Sequence, residues 1–218
     1  MIKLIPSIPG HEGIRNIIFD FGNVICDIDI SLTEKKFLEF GPAKESPGND
    51  PANSSRRFDE VVEKYEAGML SSAEFREIIR NHYVSSPSDA VIDEAWNALL
   101  LDIPERRIRL LKEVRKSYPI FLLSNSNEIH YLHYLKDFRK KSGLQEFDDL
   151  FEKAYFSFRI NLTKPSPVIF DKVVQEQHLI PSETLFIDDT LKHVNAARDK
   201  GIIGYHLQAN TDICSLFI

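Results

Sequence analysis

Short apolar runs recur along the chain, and most of them end at a polar residue or a turn. The first run, residues 14–21, reads IRNIIFDF and has Asp20 near its end. Four similar runs lie at residues 120–123, 154–158, 184–187 and 202–207. We predict all of these as β-strands, because short apolar runs bounded by turn residues are typical of buried strands.

Helical patterns separate the later strands. Pro104 opens a long helical segment, and another helix is predicted from about residue 127. Two more follow, over residues 168–179 and over residues 190–200, and Gly201 ends the second of them. Strands that alternate with helices of this length predict an α/β fold with a doubly wound parallel sheet.

Between the first and second predicted strands, the pattern is helical. Ser31 with Glu34, and Ser71 with Glu74, have the spacing of capping boxes at helix starts. The turn-rich stretch between them, residues 41–55, has no periodicity and is predicted as a loop. Apolar stripes at helical spacing lie at Phe58, Val61, Val62 and Tyr65, at Phe75, Ile78 and Ile79, and at Val91, Ile92, Ala95, Trp96 and Leu99.

These patterns predict two domains. We expect residues 30–102 to form an all-helical insertion of roughly four short helices. Residues 1–29 and 103–218 would form the core around the sheet. A length of 218 residues suits one core with a modest insertion better than two full domains.

Composition and charge narrow the classes of function. Apolar residues make up 43% of the chain and charged residues 28%, as in ordinary globular proteins. The net charge of -6 would repel a phosphate backbone, so we expect no nucleic-acid partner. Nothing in the sequence specifies an oligomeric state.

The cysteines and the apolar segments indicate in which cellular compartment the protein is expected. Cys26 and Cys214 are far apart and lack metal-ligand spacing, which suits two reduced thiols in the cytoplasm. Residues 1–16 contain no apolar stretch of signal-peptide length. No segment approaches the roughly 20 apolar residues of a membrane span. We therefore expect a cytoplasmic protein that does not bind membranes.

Six polar residues lie where predicted strands end or in the loops that follow them. They are Asp20, Ser124, Asn125, Lys164, Asp188 and Asp189. Open parallel sheets bind ligands beyond the carboxyl ends of their strands, so we expect these side chains to lie together. Carboxylates bind hard cations such as magnesium, and serine and lysine can hold phosphate oxygens. The set therefore favours a divalent cation together with a phosphoryl group.

Four segments in this order resemble the four motifs of the haloacid dehalogenase (HAD) superfamily. They read FDFGNV at residues 19–24, LLSNSN at 122–127, KPSPVIF at 164–170 and FIDD at 186–189. The helical insertion stands where that family places a C1 cap. The resemblance implies a Rossmann-like HAD core with a helical C1 cap inserted after strand one.

The resemblance also implies how a metal and a nucleophile are arranged. Asp20 would be the nucleophile that attacks phosphorus and forms an aspartyl-phosphate. Magnesium, the implied cofactor, would bind Asp20 and the backbone carbonyl of Gly22. Of the motif-four pair, Asp189 is favoured as the direct metal ligand, and Asp188 would act through water.

The remaining motif residues would bind the phosphoryl group. Ser124 and the amide of Asn125 are expected to hold its oxygens. Lys164 would neutralise the charge that the nucleophile and the phosphate share. Ser124 and Lys164 are therefore predicted as catalytic residues alongside Asp20.

The chain departs from the commonest family pattern at Gly22. Phosphatases of the family usually carry there a second aspartate, a general acid–base that typically contributes about 10² to 10⁴ in rate. A subset that includes sugar-phosphate phosphatases instead reads D-x-G-N-V followed by an acidic pair, here Asp27 and Asp29. Either aspartate could transfer the proton or anchor the loop into the cap, and both interpretations stay open. His193 is a second departure, because relatives often have Asn or Asp at that position.

The predicted function is that of a magnesium-dependent phosphatase. It would act on a small phosphorylated metabolite, such as a sugar phosphate, through an aspartyl-phosphate. One alternative is a phosphate-binding or regulatory HAD protein with little turnover, because Gly22 replaces the general acid–base. Another is a hydrolase like the haloacid dehalogenases. The sequence does not name the substrate, since no residue in the cap is diagnostic.

Overall fold

The computed structural model of the chain describes residues 2–42, 44 and 51–218, with the backbone alone for residues 51–57. The strands are β1 (Asn16–Phe19), β2 (Asp27–Ile28), β3 (Leu100–Asp102), β4 (Ile120–Ser124), β5 (Lys153–Phe156), β6 (Thr184–Asp188) and β7 (Ile203–His206). The helices are α1 (Ile30–Leu38), α2 (Pro51–Glu66), α3 (Ser72–His82), α4 (Asp89–Asn97), α5 (Glu105–Val114), α6 (Glu128–Ser142), α7 (Ser157–Ile160), α8 (Pro167–Glu176) and α9 (Leu191–Asp199). None of the described helices has the length and apolarity that crossing a membrane requires.

The central sheet is parallel, in the order β5-β4-β1-β6-β7. Residues of β1 alternate between its two faces. Ile17 and Phe19 belong to the apolar cluster that includes α5 and α6, whereas Ile18 belongs to the cluster that includes α8 and α9. Helices thus cover both faces, which explains why the strands are almost continuously apolar. The predicted doubly wound parallel α/β sheet is confirmed.

The third predicted strand, residues 154–158, ends earlier than expected. β5 stops at Phe156 and the chain turns directly into α7, so Phe158 lies in a helix. The buried Ser157 hydroxyl accepts from the Ser126 N–H at 2.9 Å and donates to the Ser126 carbonyl at 3.0 Å. These bonds tie the start of α7 to the loop after β4, a contact that no local pattern reveals.

The insertion between β2 and β3 contains α1 to α4. We predicted that residues 30–102 would be all helical, but the end of this range forms a strand. Leu100–Asp102 form β3, which pairs antiparallel with β2. The Asp29 N–H also donates to the Leu99 carbonyl at 2.9 Å, next to the paired strands. The resulting two-stranded ribbon holds the entry and the exit of the insertion side by side.

The two predicted capping boxes have different outcomes. The box of Ser71 and Glu74 is confirmed at the start of α3, where each residue accepts a bond from the other's backbone. The box of Ser31 and Glu34 is wrong, because α1 begins one residue before Ser31. Asp29 caps that helix instead, accepting from the Ser31 N–H at 3.0 Å.

The loop predicted over residues 41–55 is shorter than expected. α2 begins at Pro51, and proline is favoured in the first turn of a helix because its fixed φ suits that position. Residues 43 and 45–50 of the predicted loop lie outside the described residues.

The apolar core of the insertion reaches the first turn of α6. Phe75 and Trp96 pack there with Ile129, and Trp96 is buried as a core residue. The Trp96 indole also donates to Oδ1 of Asn127, the N-cap of α6, at 3.2 Å. The insertion therefore rests on the segment that directly follows β4.

Candidate active site

Three carboxylates converge where β1 and β6 end. Asp20 follows β1, Asp188 ends β6, and Asp189 comes next. Each offers one oxygen, and these oxygens all lie within 4.8 Å of one another. The convergence follows from the parallel register, in which Phe19 of β1 lies beside Ile187 of β6.

Lys164 lies between two of these carboxylates. Its Nζ is 2.6 Å from Oδ1 of Asp20 and 2.7 Å from Oδ2 of Asp188. The lysine side chain is only 1% exposed. Burial penalises the ammonium, but the two carboxylates more than offset that penalty and raise the pKa of Lys164. The residue is therefore held as a cation.

The electrostatics of the cluster favour a divalent cation. Burial raises the pKa of Asp20 to about 7, although Lys164 opposes this shift. Burial also acts against ionisation of Asp188, but Lys164 and His193 outweigh it and lower the pKa of Asp188. With all three carboxylates ionised, as metal binding requires, the cluster with the Lys164 ammonium would carry a formal charge of −2. A set of hard oxygen donors with that charge fits a magnesium ion.

Protein groups engage both oxygens of Asp188. Oδ1 accepts from the Thr190 N–H at 2.7 Å, and Oδ2 accepts from Lys164. Nδ1 of His193 lies 3.2 and 3.1 Å from the two oxygens. A carboxylate so occupied suits a water-mediated contact with a metal. The sequence identified His193 only as a departure from the family pattern, whereas in the structure it orients Asp188.

Asn23 connects the turn after β1 to Asp189. Its Nδ2 donates to Oδ2 of Asp189 at 3.0 Å, and its Oδ1 accepts from the Ile28 N–H at 3.0 Å. Asn23 has a φ of 52°, a left-handed conformation that asparagine adopts more readily than most residues. The sequence indicates a turn at Gly22 and Asn23, but sequence reasoning did not predict the contact of Asn23 with Asp189.

Gly22 occupies a crowded position. A Cβ placed there would lie 2.7 Å from Cδ1 of Ile28, so an aspartate would have to displace that side chain. The packing of Ile28 in the neighbouring ribbon therefore leaves little room for the second aspartate of motif one at this position. The metal contact of the Gly22 carbonyl stays a prediction.

The acidic pair after motif one has structural partners. Oδ1 of Asp27 accepts from Nη1 of Arg107 at 2.7 Å, and Asp29 caps α1 through Ser31. The hydrogen bonds from Ser31 lower the pKa of Asp29, so this carboxyl carries no proton to donate at neutral pH. Of the two open interpretations, the contacts favour anchoring of the loop over proton transfer.

Ser124 and Asn125 come at the end of β4, next to β1. The Asn125 side chain donates to the Lys164 carbonyl at 2.9 Å and accepts from the Lys164 N–H at 2.8 Å. The Asn125 side chain therefore positions Lys164. The predicted phosphate contact of Asn125 would then be made by its backbone N–H. Ser124 is buried, and its hydroxyl makes a long 3.3 Å bond to the Asn125 carbonyl. Such a weak bond is readily exchanged for one to a phosphoryl oxygen.

Comparison of sequences identifies relatives of this chain. The profile of the haloacid dehalogenase-like hydrolases matches residues 14–201. Over 199 residues, the chain is 31% identical to D-ribitol-5-phosphate phosphatase from Bacteroides thetaiotaomicron. The match covers 91% of this chain and 94% of that protein.

Solved structures extend the similarity along nearly the whole chain. A HAD family enzyme from Bacteroides thetaiotaomicron, solved with magnesium and inorganic phosphate, gives a TM-score of 0.81 at 33% identity. That match covers 93% of this chain and 98% of the other. A HAD-like family hydrolase from Porphyromonas gingivalis gives a TM-score of 0.77 at 27% identity, covering 91% and 93% of the two chains.

Proposed function

The chain belongs to the haloacid dehalogenase-like hydrolases, and we propose that it hydrolyses the phosphate ester of a sugar alcohol or a related polyol. The predicted magnesium-dependent phosphatase for a small phosphorylated metabolite agrees with its relatives, among them a phosphatase and an enzyme solved with magnesium and phosphate. The observation that supports the proposal most directly is the contact between buried Asp20 and Lys164, beside two further carboxylates.

The chemistry that we propose begins at Asp20. One of its oxygens forms a bond to phosphorus as the bond to the leaving oxygen breaks, which produces an aspartyl-phosphate. Lys164 offsets the negative charge that Asp20 and the phosphoryl group share. The Ser124 hydroxyl and the Asn125 amide hold the phosphoryl oxygens in line. Water then cleaves the aspartyl-phosphate and releases inorganic phosphate.

Magnesium would be held by oxygen atoms alone. These belong to Asp20, Asp189 and the Gly22 carbonyl, with Asp188 acting through water. When bound, the ion supplies positive charge that favours a carboxylate approaching a phosphate. An all-oxygen donor set suits magnesium better than softer ions.

We also propose that the helical residues 30–102 act as a cap on the core formed by residues 1–29 and 103–218. The support is the packing of the insertion on the first turn of α6, directly after the motif that includes Ser124. A cap at this position can exclude water and contact the part of the substrate beyond its phosphate. The predicted cytoplasmic location, without nucleic-acid or membrane partners, belongs to the same proposal.

The two alternatives receive less support. Gly22 is the feature that favours a regulatory protein with little turnover, since a general acid–base is missing at that position. A dehalogenase-like reaction attacks carbon and needs no metal. It would therefore not explain why three carboxylates lie close enough together to bind a metal ion.

A substrate panel tests the proposed function. Purified protein is assayed for phosphate release from sugar-alcohol phosphates, sugar phosphates and aryl phosphates, with magnesium and with excess EDTA. We expect turnover that needs magnesium and is fastest with polyol phosphates. Full activity in EDTA, or halide release from a haloacid, would contradict the proposal.

Asp189→Asn should raise the magnesium concentration required for half-maximal activity by at least about 10-fold. The amide keeps the shape of the side chain but removes the charge that attracts the cation. Asp199→Asn, which changes an exposed aspartate of α9, is the matched control and should leave the requirement unchanged. An unchanged requirement in both variants would exclude Asp189 as a direct ligand.

A further inference from the structure

The last turn of α2 is fixed to the core on both sides of Glu66. The Tyr65 hydroxyl accepts from the Ile129 N–H at the start of α6, at 3.2 Å. The Ala67 carbonyl accepts from Nδ2 of Asn161 at 2.9 Å. Glu66 therefore has a defined position between two anchors rather than a place in a free loop.

The backbone after Glu66 approaches the core so closely that only glycine fits. Gly68 has a φ of 67°, and a Cβ there would lie 2.2 Å from the Phe158 carbonyl oxygen. Asn161, which bonds to the Ala67 carbonyl, lies only three residues before Lys164 in the sequence. The same loop thus holds both the active-site lysine and the turn that contains Glu66.

The side chain of Glu66 is partly buried. Burial raises its pKa to about 7, while Lys164 lowers it, Glu63 raises it and Lys192 lowers it again. Among the described residues, no hydrogen bond or salt bridge engages this carboxyl. A partly buried carboxyl that interacts electrostatically with Lys164 and that no described group engages is available to contact a ligand. At neutral pH, both its protonated and ionised forms are populated, as a group that gives and takes protons requires.

The motif-one segment supplies no other group for this role. Gly22 stands where phosphatases of the family usually carry a general acid–base, and Asp27 and Asp29 are bound to Arg107 and to the start of α1. Resting on the proposed phosphatase function, we propose that Glu66 is the general acid–base of this enzyme, supplied by the insertion instead of motif one.

The proton transfers balance over one turnover. Glu66 in its acid form donates a proton to the leaving oxygen as the P–O bond breaks and the bond from Asp20 to phosphorus forms. The resulting Glu66 carboxylate then takes a proton from the attacking water. The water oxygen bonds to phosphorus, the bond to Asp20 breaks, and inorganic phosphate leaves while Glu66 regains its proton.

Glu66→Gln tests the proposal, with Glu63→Gln as the matched control one turn earlier in α2. The readout is kcat/KM, which reports the first phosphoryl transfer, for a polyol phosphate and for aryl phosphates whose phenols differ in pKa. We expect Glu66→Gln to lower kcat/KM by about 10² to 10⁴ for the polyol phosphate. The most acidic phenol needs no proton from the enzyme, so its kcat/KM should change by less than about 5-fold.

Two further measurements follow from the same reaction. The slope of log kcat/KM against the pKa of the leaving group should be shallow in the wild type and in Glu63→Gln, and steep in Glu66→Gln. Because Glu66→Gln also lacks the base for the second step, aryl phosphates should produce an initial burst of phenol stoichiometric with enzyme.

The possible failures are distinguishable. An equal loss for all substrates, or an unchanged slope, would overturn the role of Glu66 and leave the phosphatase assignment intact. A wild type that hydrolyses no phosphomonoester with magnesium would overturn both. Retained activity with the acidic aryl phosphate shows that the variant is folded, so misfolding cannot imitate the expected result.

Discussion

Asp20→Asn should abolish phosphatase turnover, lowering kcat by more than about 10⁴-fold. A carboxamide has no anionic oxygen with which to attack phosphorus, so no aspartyl-phosphate can form. The substitution keeps the size of the side chain and removes a carboxyl whose pKa burial raises to about 7. We therefore expect the variant to fold with unchanged circular dichroism and at least wild-type thermal stability without magnesium.

Asp29→Asn is the matched control for this experiment. The residue lies in the same segment, and asparagine caps helices about as well as aspartate does. Its activity should stay within about 2-fold of the wild type. Near wild-type turnover in Asp20→Asn would show that another group attacks phosphorus.

Lys164→Met should lower both activity and the free energy of unfolding. Without the ammonium, the buried carboxylates of Asp20 and Asp188 face each other uncompensated. Removing one partner of a buried ion pair typically costs about 3–5 kcal/mol. We expect kcat to fall by about 10³-fold or more, because charge on the phosphoryl group is no longer offset.

Magnesium distinguishes this effect from a simple packing defect. The ion supplies positive charge to the same carboxylates, so it should raise the Tm of Lys164→Met more than it raises the Tm of the wild type. Lys172→Met, which changes a lysine of α8 paired with Glu176, should behave like the wild type. An equal magnesium response in all three proteins would mean that Lys164 does not neutralise the carboxylates.

The sheet and the cluster at its edge were predictable from local patterns. Apolar runs that end at Asp20, Ser124 and Asp188 define strands, and parallel neighbours bring their carboxyl ends together. The order of the motifs then predicts that Lys164 lies at the same edge of the sheet. These inferences need only the period of the pattern and the topology that alternating strands and helices impose.

Other features depend on contacts between distant segments. The sequence pattern predicts Leu100–Asp102 as part of the helical insertion. These residues form a strand because they pair with β2, which is distant in sequence. The side chain of Asn125 turned out to hold the Lys164 backbone, because the two lie 39 residues apart in sequence but adjacent in space. Burial and charge around Glu66 likewise arise from tertiary packing, which no spacing rule encodes.

Direct detection of the phospho-enzyme tests the central claim, that Asp20 transfers a phosphoryl group with the help of magnesium. Enzyme turning over a polyol or aryl phosphate is quenched in acid, digested and analysed by mass spectrometry. We predict one added phosphoryl group on the peptide that contains Asp20, present with magnesium and absent with EDTA or in Asp20→Asn. Steady turnover with no phosphorylated enzyme even in Glu66→Gln, or a phosphoryl group on a different residue, would contradict this account.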